Sequence, residues 1–174
     1  MGFLDYFRSR SPQALTPLGI HLEEHSYDTE SESGHPLHGY GYALRDEHDR
    51  AFSWDDEALA SHGVDVVKVA GTSHRLKAIQ SDDFAPGSRL TLKPDPTNEY
   101  DRNAVGVYDE RGRVQAGFVP AEQSEEFSRR IARERLDAFV LWAWRDESGK
   151  RCGLRMIVGP SGFLAEPPRP LRSR

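Results

Sequence analysis

The side chains best suited to chemistry are concentrated in one short polar segment between two apolar runs. An aromatic residue, Tyr100, is followed by a carboxylate, Asp101, and the amides of Asn98 and Asn103 lie on either side. A tyrosine here either packs under the loop or presents its ring to a ligand. Asp and Asn before a strand commonly accept hydrogen bonds from nearby backbone amides and thereby order a loop. The segment is therefore an ordered turn, a ligand site, or both.

No other group of residues in the sequence specifies a reaction. The single cysteine, Cys152, lies in an apolar run, which is typical of a buried thiol rather than a nucleophile. His35 and His38 are closely spaced, but the Glu of a metalloprotease motif is missing, and neither a Gly-x-Ser-x-Gly elbow nor a P-loop occurs. We therefore predict a binding protein that is not an enzyme, with no metal and no cofactor.

Composition and charge narrow the class further. The 174 residues are 37% hydrophobic and 29% charged, which is enough for a packed core. No apolar run approaches the roughly 18 residues of a membrane helix, and no signal peptide is evident, so we expect a cytoplasmic protein without a membrane partner. The net charge of −5 is uneven: residues 1–63 carry 4 basic and 12 acidic side chains, whereas residues 64–158 carry 16 and 15. A nearly neutral domain can still present a local basic face to a polyanion.

The elements that must position these residues divide the chain into three parts. Residues 1–63 form an acidic, partly ordered N-terminal extension, residues 64–160 a β-rich domain, and residues 161–174 a Pro/Arg-rich tail. In the extension we predict an amphipathic helix over residues 1–10, a linker over 11–36, a strand or partly ordered arm over 37–53, and a short helix capped by Ser53.

In the domain, β-branched or alternating runs predict six strands and one helix that begins at Pro120. Trp142 and Trp144 share one face of the fifth strand, where we favour core packing over a stacking surface. The expected fold class is mainly β with α (α+β), as a small barrel or a strongly curved sheet with one or two helices. The predicted strands are 64–71, 88–93, 104–108, 114–119, 137–144 and 151–158.

The block Leu92–Val107 resembles the signature of the HIRAN domain family. Its core is Asn98-Glu99-Tyr100-Asp101-Arg102-Asn103-Ala104, preceded by Gly71-Thr72-Ser73-His74 and followed by Gly117-Phe118-Val119-Pro120. Glu99 departs from the family pattern, which usually has Pro there, and adds a negative charge. The resemblance covers about Val64 to Pro160 and implies an OB- or SH3-like barrel without the helicase motor of the family's larger members.

The resemblance also implies roles for individual residues. Tyr100 would stack on the terminal base of a single strand, and Asp101 would accept a hydrogen bond from a free 3′-hydroxyl. Asn98 would contact a base edge or a phosphate, and His74 would face the same base as a second ring. For Asn103 we favour a role in ordering the loop over a contact with the ligand. Arg75, Lys93 and Arg102 lie near these loops in sequence and are candidates for phosphate contact, with ordinary surface charge as the alternative.

Three hypotheses remain open at this point. The chain is a nucleic-acid binding module for single-stranded DNA or free 3′ DNA ends, in DNA repair or replication-fork processing. Alternatively, it is a non-enzymatic protein-interaction module whose partner binds the N-terminal arm. In the third version the acidic arm lies over the basic face of the barrel and inhibits DNA binding.

Overall fold

The computed structural model describes residues 19–164 and 166–171. The predicted helix over residues 1–10 lies outside them. Within the described residues there are eight strands and three α-helices: β1 His21–Glu30, β2 Pro36–Arg45, α1 Glu57–Ser61, β3 Asp65–Lys68, α2 Leu76–Ile79, β4 Arg89–Pro94, β5 Val105–Asp109, β6 Gln115–Phe118, α3 Ala121–Arg133, β7 Leu136–Arg145 and β8 Arg151–Pro160. Short 3₁₀ turns cover Thr72–Arg75 and Asp82–Phe84.

All eight of these strands belong to one antiparallel sheet that curls around β7. β7 pairs with β8 along its length, with β4 near its start and with β2 near its end. The curl continues through β4, β5 and β6 and through the β3–β8 pair. Two backbone hydrogen bonds between Ala70 and Phe118, 2.8 and 2.9 Å long, join β6 to the chain after β3. The expectation of a mainly β, barrel-like fold with about six strands and few helices is confirmed for β3 to β8.

The interior of the curl is filled by the inward side of the alternating strands. Val105 and Val107 of β5, Leu90 of β4 and Met156 of β8 are all at most 5% exposed and belong to one cluster. α3 packs Phe127 against the same cluster. Alternation sends every second residue inward, so Gly106 and Tyr108 of β5 lie on the outer side of the sheet.

The segment before residue 64 is part of this fold. β1 and β2 form a ten-residue antiparallel ladder, so the predicted linker is wrong from His21 to Glu30. Of the strand or partly ordered arm predicted over 37–53, residues 37–45 are confirmed as strand, because β2 ends at Arg45. The cap of α1 is Asp56, whose carboxylate accepts from the Ala58 amide at 2.9 Å, and not Ser53.

A second core lies on the outer side of β7 and β8. Tyr42 and Leu44 of β2 cover Phe139, Leu141 and Ile157 there, together with residues from the α1 region. β2 approaches β7 very closely at Gly41, where a Cβ would lie 2.3 Å from the Leu141 carbonyl oxygen. Four of the nine buried residues in this second core therefore come from the segment before residue 64, namely Ile20, Tyr42, Leu44 and Leu59.

The described part of the tail runs extended along the same side. The Tyr42 hydroxyl donates to the Arg169 carbonyl, and the Leu171 amide donates to the Pro86 carbonyl at 2.8 Å. A Cβ at Gly87 would lie 2.2 Å from the Arg169 carbonyl oxygen, so the turn at Gly87 makes room for the tail. In the described chain no helix has the length and apolar character to span a bilayer.

Candidate nucleic-acid interface

The polar segment singled out in the sequence is the loop from residue 95 to residue 104, which connects β4 to β5. Asn98 orders it: its Oδ1 accepts from the Tyr100 amide at 3.0 Å and from the Asp101 amide at 3.1 Å. The Asp95 amide closes the loop by donating to the Ala104 carbonyl at 2.7 Å. The ordering predicted for Asn103 therefore comes largely from Asn98, and Asn103 adds its backbone N–H, which donates to Asp101.

Tyr100 lies at the tip of this ordered loop with its ring in solvent. The residue is 96% exposed. The alternative in which Tyr100 packs under the loop is therefore wrong. A large ring held outward on an internally bonded loop is available for stacking on a flat ligand.

The Asp101 carboxylate lies between the loop and α3. Its Oδ1 accepts from the Asn103 amide at 2.8 Å, and its Oδ2 accepts from the Ser124 hydroxyl at 2.5 Å. The Ser124 hydrogen bond, followed by that of Asn103, holds the pKa of Asp101 below its ordinary value. An ionised carboxylate has about four lone-pair sites, so Asp101 is charged at neutral pH and can accept further hydrogen bonds.

The second segment of the site is the 3₁₀ turn Thr72–Arg75, which follows the Ala70–Phe118 pairing. Arg75 lies over the Phe118 ring, with its Cζ 5.9 Å from the ring centroid. His74 is exposed in the same turn. Phe118 of β6 pairs with Ala70 on one side and with Gly106 of β5 on the other. This turn and the start of β5 therefore flank the same end of β6.

Lys93 lies on the outer face of β4 to β6 rather than beside Tyr100. Its Nζ is 4.9 Å from the Tyr108 ring centroid and donates to the Gly112 carbonyl at 2.6 Å. Gly106 leaves this face flat, since a Cβ there would lie 2.6 Å from Tyr108 Cε2. The face therefore offers two rings, each with a cation above it.

Sequence reasoning missed Phe118 and Tyr108 as members of this surface. The alternation of Val105 and Val107 inward was a usable signal for Tyr108, because its neighbours on the strand must then point outward. Arg102 is exposed beside Tyr100. Within the described residues it makes no hydrogen bond or ion pair, so its guanidinium is not already bound to a protein partner.

The described part of the acidic arm, residues 19–63, lies away from this surface. For residues 19–63, no hydrogen bond, ion pair or ring contact reaches Tyr100, Asp101 or His74. β1 and β2 instead join the sheet at the end of β7. The described part of the arm therefore leaves this surface open. Over the same described ranges, no three His, Cys, Asp or Glu side chains stand close enough to hold a metal ion.

Comparison with known proteins gives one family and two solved structures. The model of the HIRAN domain matches residues 62–155, more than half of the chain. The crystal structure of the HIRAN domain of human HLTF is similar at 19% identity and a TM-score of 0.39, covering 59% of this chain and 80% of that one. A crystal structure of a protein from Lactobacillus plantarum is similar at 18% identity and a TM-score of 0.42, covering 54% and 91%. No curated protein matches the chain.

Proposed function

Because this chain belongs to the HIRAN domain family, whose domains are generally DNA-binding modules, we propose that it binds single-stranded DNA at a free 3′ end. The observation that carries the proposal is the Tyr100 ring, which is 96% exposed on a loop fixed by Asn98, next to an ionised carboxylate. Stacking a base on this ring costs little conformational entropy, because the loop is already ordered in the free protein.

Tyr100 supplies affinity in this proposal. A base stacked on an aromatic side chain contributes about 1–3 kcal/mol irrespective of its identity. His74 and Arg75 lie on the neighbouring turn, where a cation or an imidazole favours the adjacent phosphate. The interface is therefore tolerant of sequence.

Asp101 supplies the preference for an end. Its carboxylate accepts a hydrogen bond from a terminal hydroxyl, whereas it repels the phosphate that follows every internal 3′ oxygen. Ser124 and Asn103 hold the carboxylate in place from the side of the protein. The same group therefore attracts a 3′-hydroxyl and rejects a 3′-phosphate or a continuous strand.

The remainder of the strand would cross the outer face of β4 to β6. Phe118 and Tyr108 offer rings there, and Arg75 and Lys93 offer positive charge. These contacts add salt-dependent affinity without reading sequence. The negative charge of Glu99, beside Tyr100, weakens the electrostatic attraction of phosphates close to the 3′ end.

The test is fluorescence anisotropy with oligonucleotides that end in a 3′-hydroxyl or a 3′-phosphate, over a salt series. We expect the hydroxyl end to bind more tightly, and Tyr100→Ala to weaken binding by about 5- to 150-fold, the equivalent of one lost stack. Tyr100→Phe is the matched control, because it retains the ring. Equal affinity for both ends would refute end recognition, and an undiminished Tyr100→Ala variant would refute the stacking role.

The broader setting is also part of the proposal. The chain acts by binding rather than by catalysing a reaction, in the cytoplasm, and in DNA repair or replication-fork processing, where free 3′ ends arise. Loss of the gene should then sensitise cells to agents that stall replication. A chain that lacks measurable DNA binding at low salt would instead favour the protein-interaction hypothesis. Among the described residues the outer edge of β1 has no paired strand, so an extended peptide of a partner could add to the sheet there.

A further inference from the structure

The outermost strand on the arm side of the sheet, β1, has an open edge. β1 begins the order β1-β2-β7-β4-β5-β6 and pairs with β2 over all ten of its residues, His21–Glu30. On its other side no strand pairs with it among residues 19–164 and 166–171. In an antiparallel pair every second residue turns its N–H and C=O away from the partner strand. Half of the backbone groups of β1 therefore point away from the sheet along this side, which we call the β1 edge.

The β1 edge lacks several features that usually prevent a sheet from pairing with another chain. Natural edge strands are often short, or they contain proline, lysine or a β-bulge. β1 is ten residues long, contains neither proline nor lysine, and pairs with β2 without a register shift. This length is about twice that of an ordinary strand. The backbone of β1 is therefore a long and regular template for a further strand.

The charge of β1 is negative. Its ten residues include four carboxylates and no lysine or arginine, and all four carboxylates are exposed. Two of them, Glu23 and Asp28, are paired with a basic side chain of β2. Over the described ranges, Glu24 and Glu30 make no hydrogen bond or ion pair. The β1 edge therefore carries negative charge that the arm itself does not neutralise.

Alternation along the strand separates the carboxylates from an aromatic surface. Glu24, Asp28 and Glu30 are spaced by even numbers of residues, so they lie on one face of β1. The opposite face carries Tyr27, which is 39% exposed and whose ring stacks on that of Trp142 at a centroid distance of 5.2 Å. A strand added at the β1 edge would therefore meet carboxylates with one set of its alternate side chains and an aromatic ring with the other set.

This charge distinguishes between the chains that would fit a strand edge. In the antiparallel register that aligns all ten residues of two copies, Glu23 of one copy lies opposite Asp28 of the other, and directly opposed like charges destabilise a sheet. The same carboxylates repel a nucleic-acid strand. A basic segment is attracted instead, because its lysine or arginine side chains form favourable cross-strand pairs with the carboxylates of β1.

We propose that the β1 edge binds an extended segment of a partner protein in which basic residues alternate with β-branched or apolar residues. The segment adds a ninth strand to the eight-stranded sheet. Its backbone hydrogen bonds supply affinity and its alternate side chains supply specificity, with the basic set facing Glu24 and Glu30 and the other set beside Tyr27. The interaction involves neither Tyr100 nor Asp101, so it is independent of the proposed DNA binding.

The first experiment tests whether the β1 edge pairs with a basic strand in the intact chain. The probe is a synthetic ten-residue peptide, matched to the length of β1, in which lysine alternates with threonine. ¹H–¹⁵N correlation NMR and amide hydrogen exchange follow the chain during the titration. We expect saturable shifts centred on β1, and slower exchange of the alternate β1 amides that point away from β2. The absence of saturable shifts in β1 overturns the proposal.

Control peptides separate strand pairing from simple charge attraction. The same peptide N-methylated on every lysine, or on every threonine, keeps its charge but cannot donate hydrogen bonds along one of its two edges. At least one of these versions should bind at least about tenfold more weakly, the equivalent of one or two backbone hydrogen bonds. A peptide with glutamate in place of lysine should not bind. Equal binding of all three lysine peptides overturns strand addition.

Charge reversal in the chain locates the basic side chains of the peptide. The double variant Glu24→Lys with Glu30→Lys should bind the lysine peptide at least about tenfold more weakly, because repulsion replaces attraction on one face of β1. The matched control is Glu122→Lys with Glu125→Lys, at two exposed carboxylates of α3, which changes the net charge equally. It should bind nearly as the parent does. Equal losses in the two double variants would mean unspecific attraction and overturn the proposal.

Further measurements distinguish other occupants of the edge and the proposed DNA site. If sedimentation equilibrium shows self-association of the chain alone, and this association protects the β1 amides, the edge belongs to a second copy and the proposal is overturned. Saturable shifts of β1 with a single-stranded oligonucleotide overturn it as well. Tyr100→Ala should lose DNA affinity yet bind the lysine peptide as the parent does, so failure of either proposal is distinguishable from failure of the other.

Discussion

Aromatic and polar groups are organised in opposite ways in the loop of residues 95–104 and in a second group, the tryptophan cluster, which consists of Tyr27, Trp54, Trp142, Trp144 and Arg155. In the loop, the polar groups that shape the turn are bonded to one another and the ring of Tyr100 is left in solvent. In the tryptophan cluster, the ring of Trp142 is buried and its N–H has no acceptor among the described residues. The first arrangement presents an aromatic ring for stacking on a loop that is already ordered. The second leaves buried donors without hydrogen-bond partners among the described residues, in apolar surroundings. Burial rather than residue type therefore decides whether an aromatic side chain is available to a ligand.

The largest expected effect comes from the core that supports the tryptophan cluster. Leu44 is 1% exposed between β2 and the outer side of β7–β8, so Leu44→Ala should lower the free energy of unfolding by about 2–5 kcal/mol. Thermal and urea unfolding followed by circular dichroism measure the loss. Leu76→Ala, at a leucine 47% exposed, is the control and should change stability by less than about 0.5 kcal/mol. Equal effects would mean that the arm does not contribute a core.

The next effect concerns the frame of the loop. Asn98→Ala removes the acceptor for two backbone amides, each bond being worth about 0.5–1.5 kcal/mol. We expect DNA affinity to fall about tenfold although Tyr100 is intact, because the loop must then be ordered on binding. Anisotropy measures the affinity, with Thr97→Ala as the neighbouring control. If Asn98→Ala binds DNA normally, preordering of this loop is unimportant.

A smaller effect concerns the protonation of Asp101. Its pKa in the folded protein is depressed, first by Ser124 and then by Asn103, so the charged form persists as the pH falls and is lost only below the ordinary carboxyl pKa. Ser124→Ala should raise that pKa, and the preference for a 3′-hydroxyl should then disappear at higher pH than in the parent. The ratio of affinities for the two ends, measured from about pH 2.5 to about pH 6 so that the ordinary carboxyl pKa lies inside the range, follows this change. Ser124→Thr retains a hydroxyl and should leave the profile nearly unchanged; a profile unmoved by Ser124→Ala would argue against this hydrogen bond.

The smallest effect is expected at the far end of the proposed strand path. Lys93→Gln removes one cation from the Tyr108 side of the sheet. If Lys93 contacts one phosphate, the salt dependence of log affinity should become shallower by about 0.7. Arg133→Gln, at an exposed arginine of α3, is the control and should keep the parental slope. An unchanged slope in Lys93→Gln would place the strand away from β4.

Much of the fold was predictable because its signals are local. The alternation over residues 104–108 and the β-branched run after Val64 each predict a strand from residues that are contiguous in the sequence. β1 was missed because its sequence, with Glu23, Glu24 and Asp28, has no apolar alternation. As an outer strand it is solvated on most sides, so its pairing with β2 demands little hydrophobicity.

The candidate site was predictable in part. Tyr100, Asp101 and Asn98 are consecutive or nearly so, and their type and spacing identify the loop. The approach of Arg75 to Phe118 depends on the Ala70–Phe118 pairing between segments far apart in sequence. The partnership of Asp101 with Ser124 depends likewise on the way α3 packs after β6.

By itself the sequence determined the family, the strand-rich character and the loop that carries Tyr100, because each is encoded in contiguous residues. Only the tertiary structure decided that the Tyr100 ring is exposed, that the acidic arm completes a second core, and that the buried Trp142 Nε1 and Arg155 Nε have no acceptor among the described residues. Those properties arise from strand register and from the packing of distant segments. Periodicity along one segment carries no information about which partner a strand will meet.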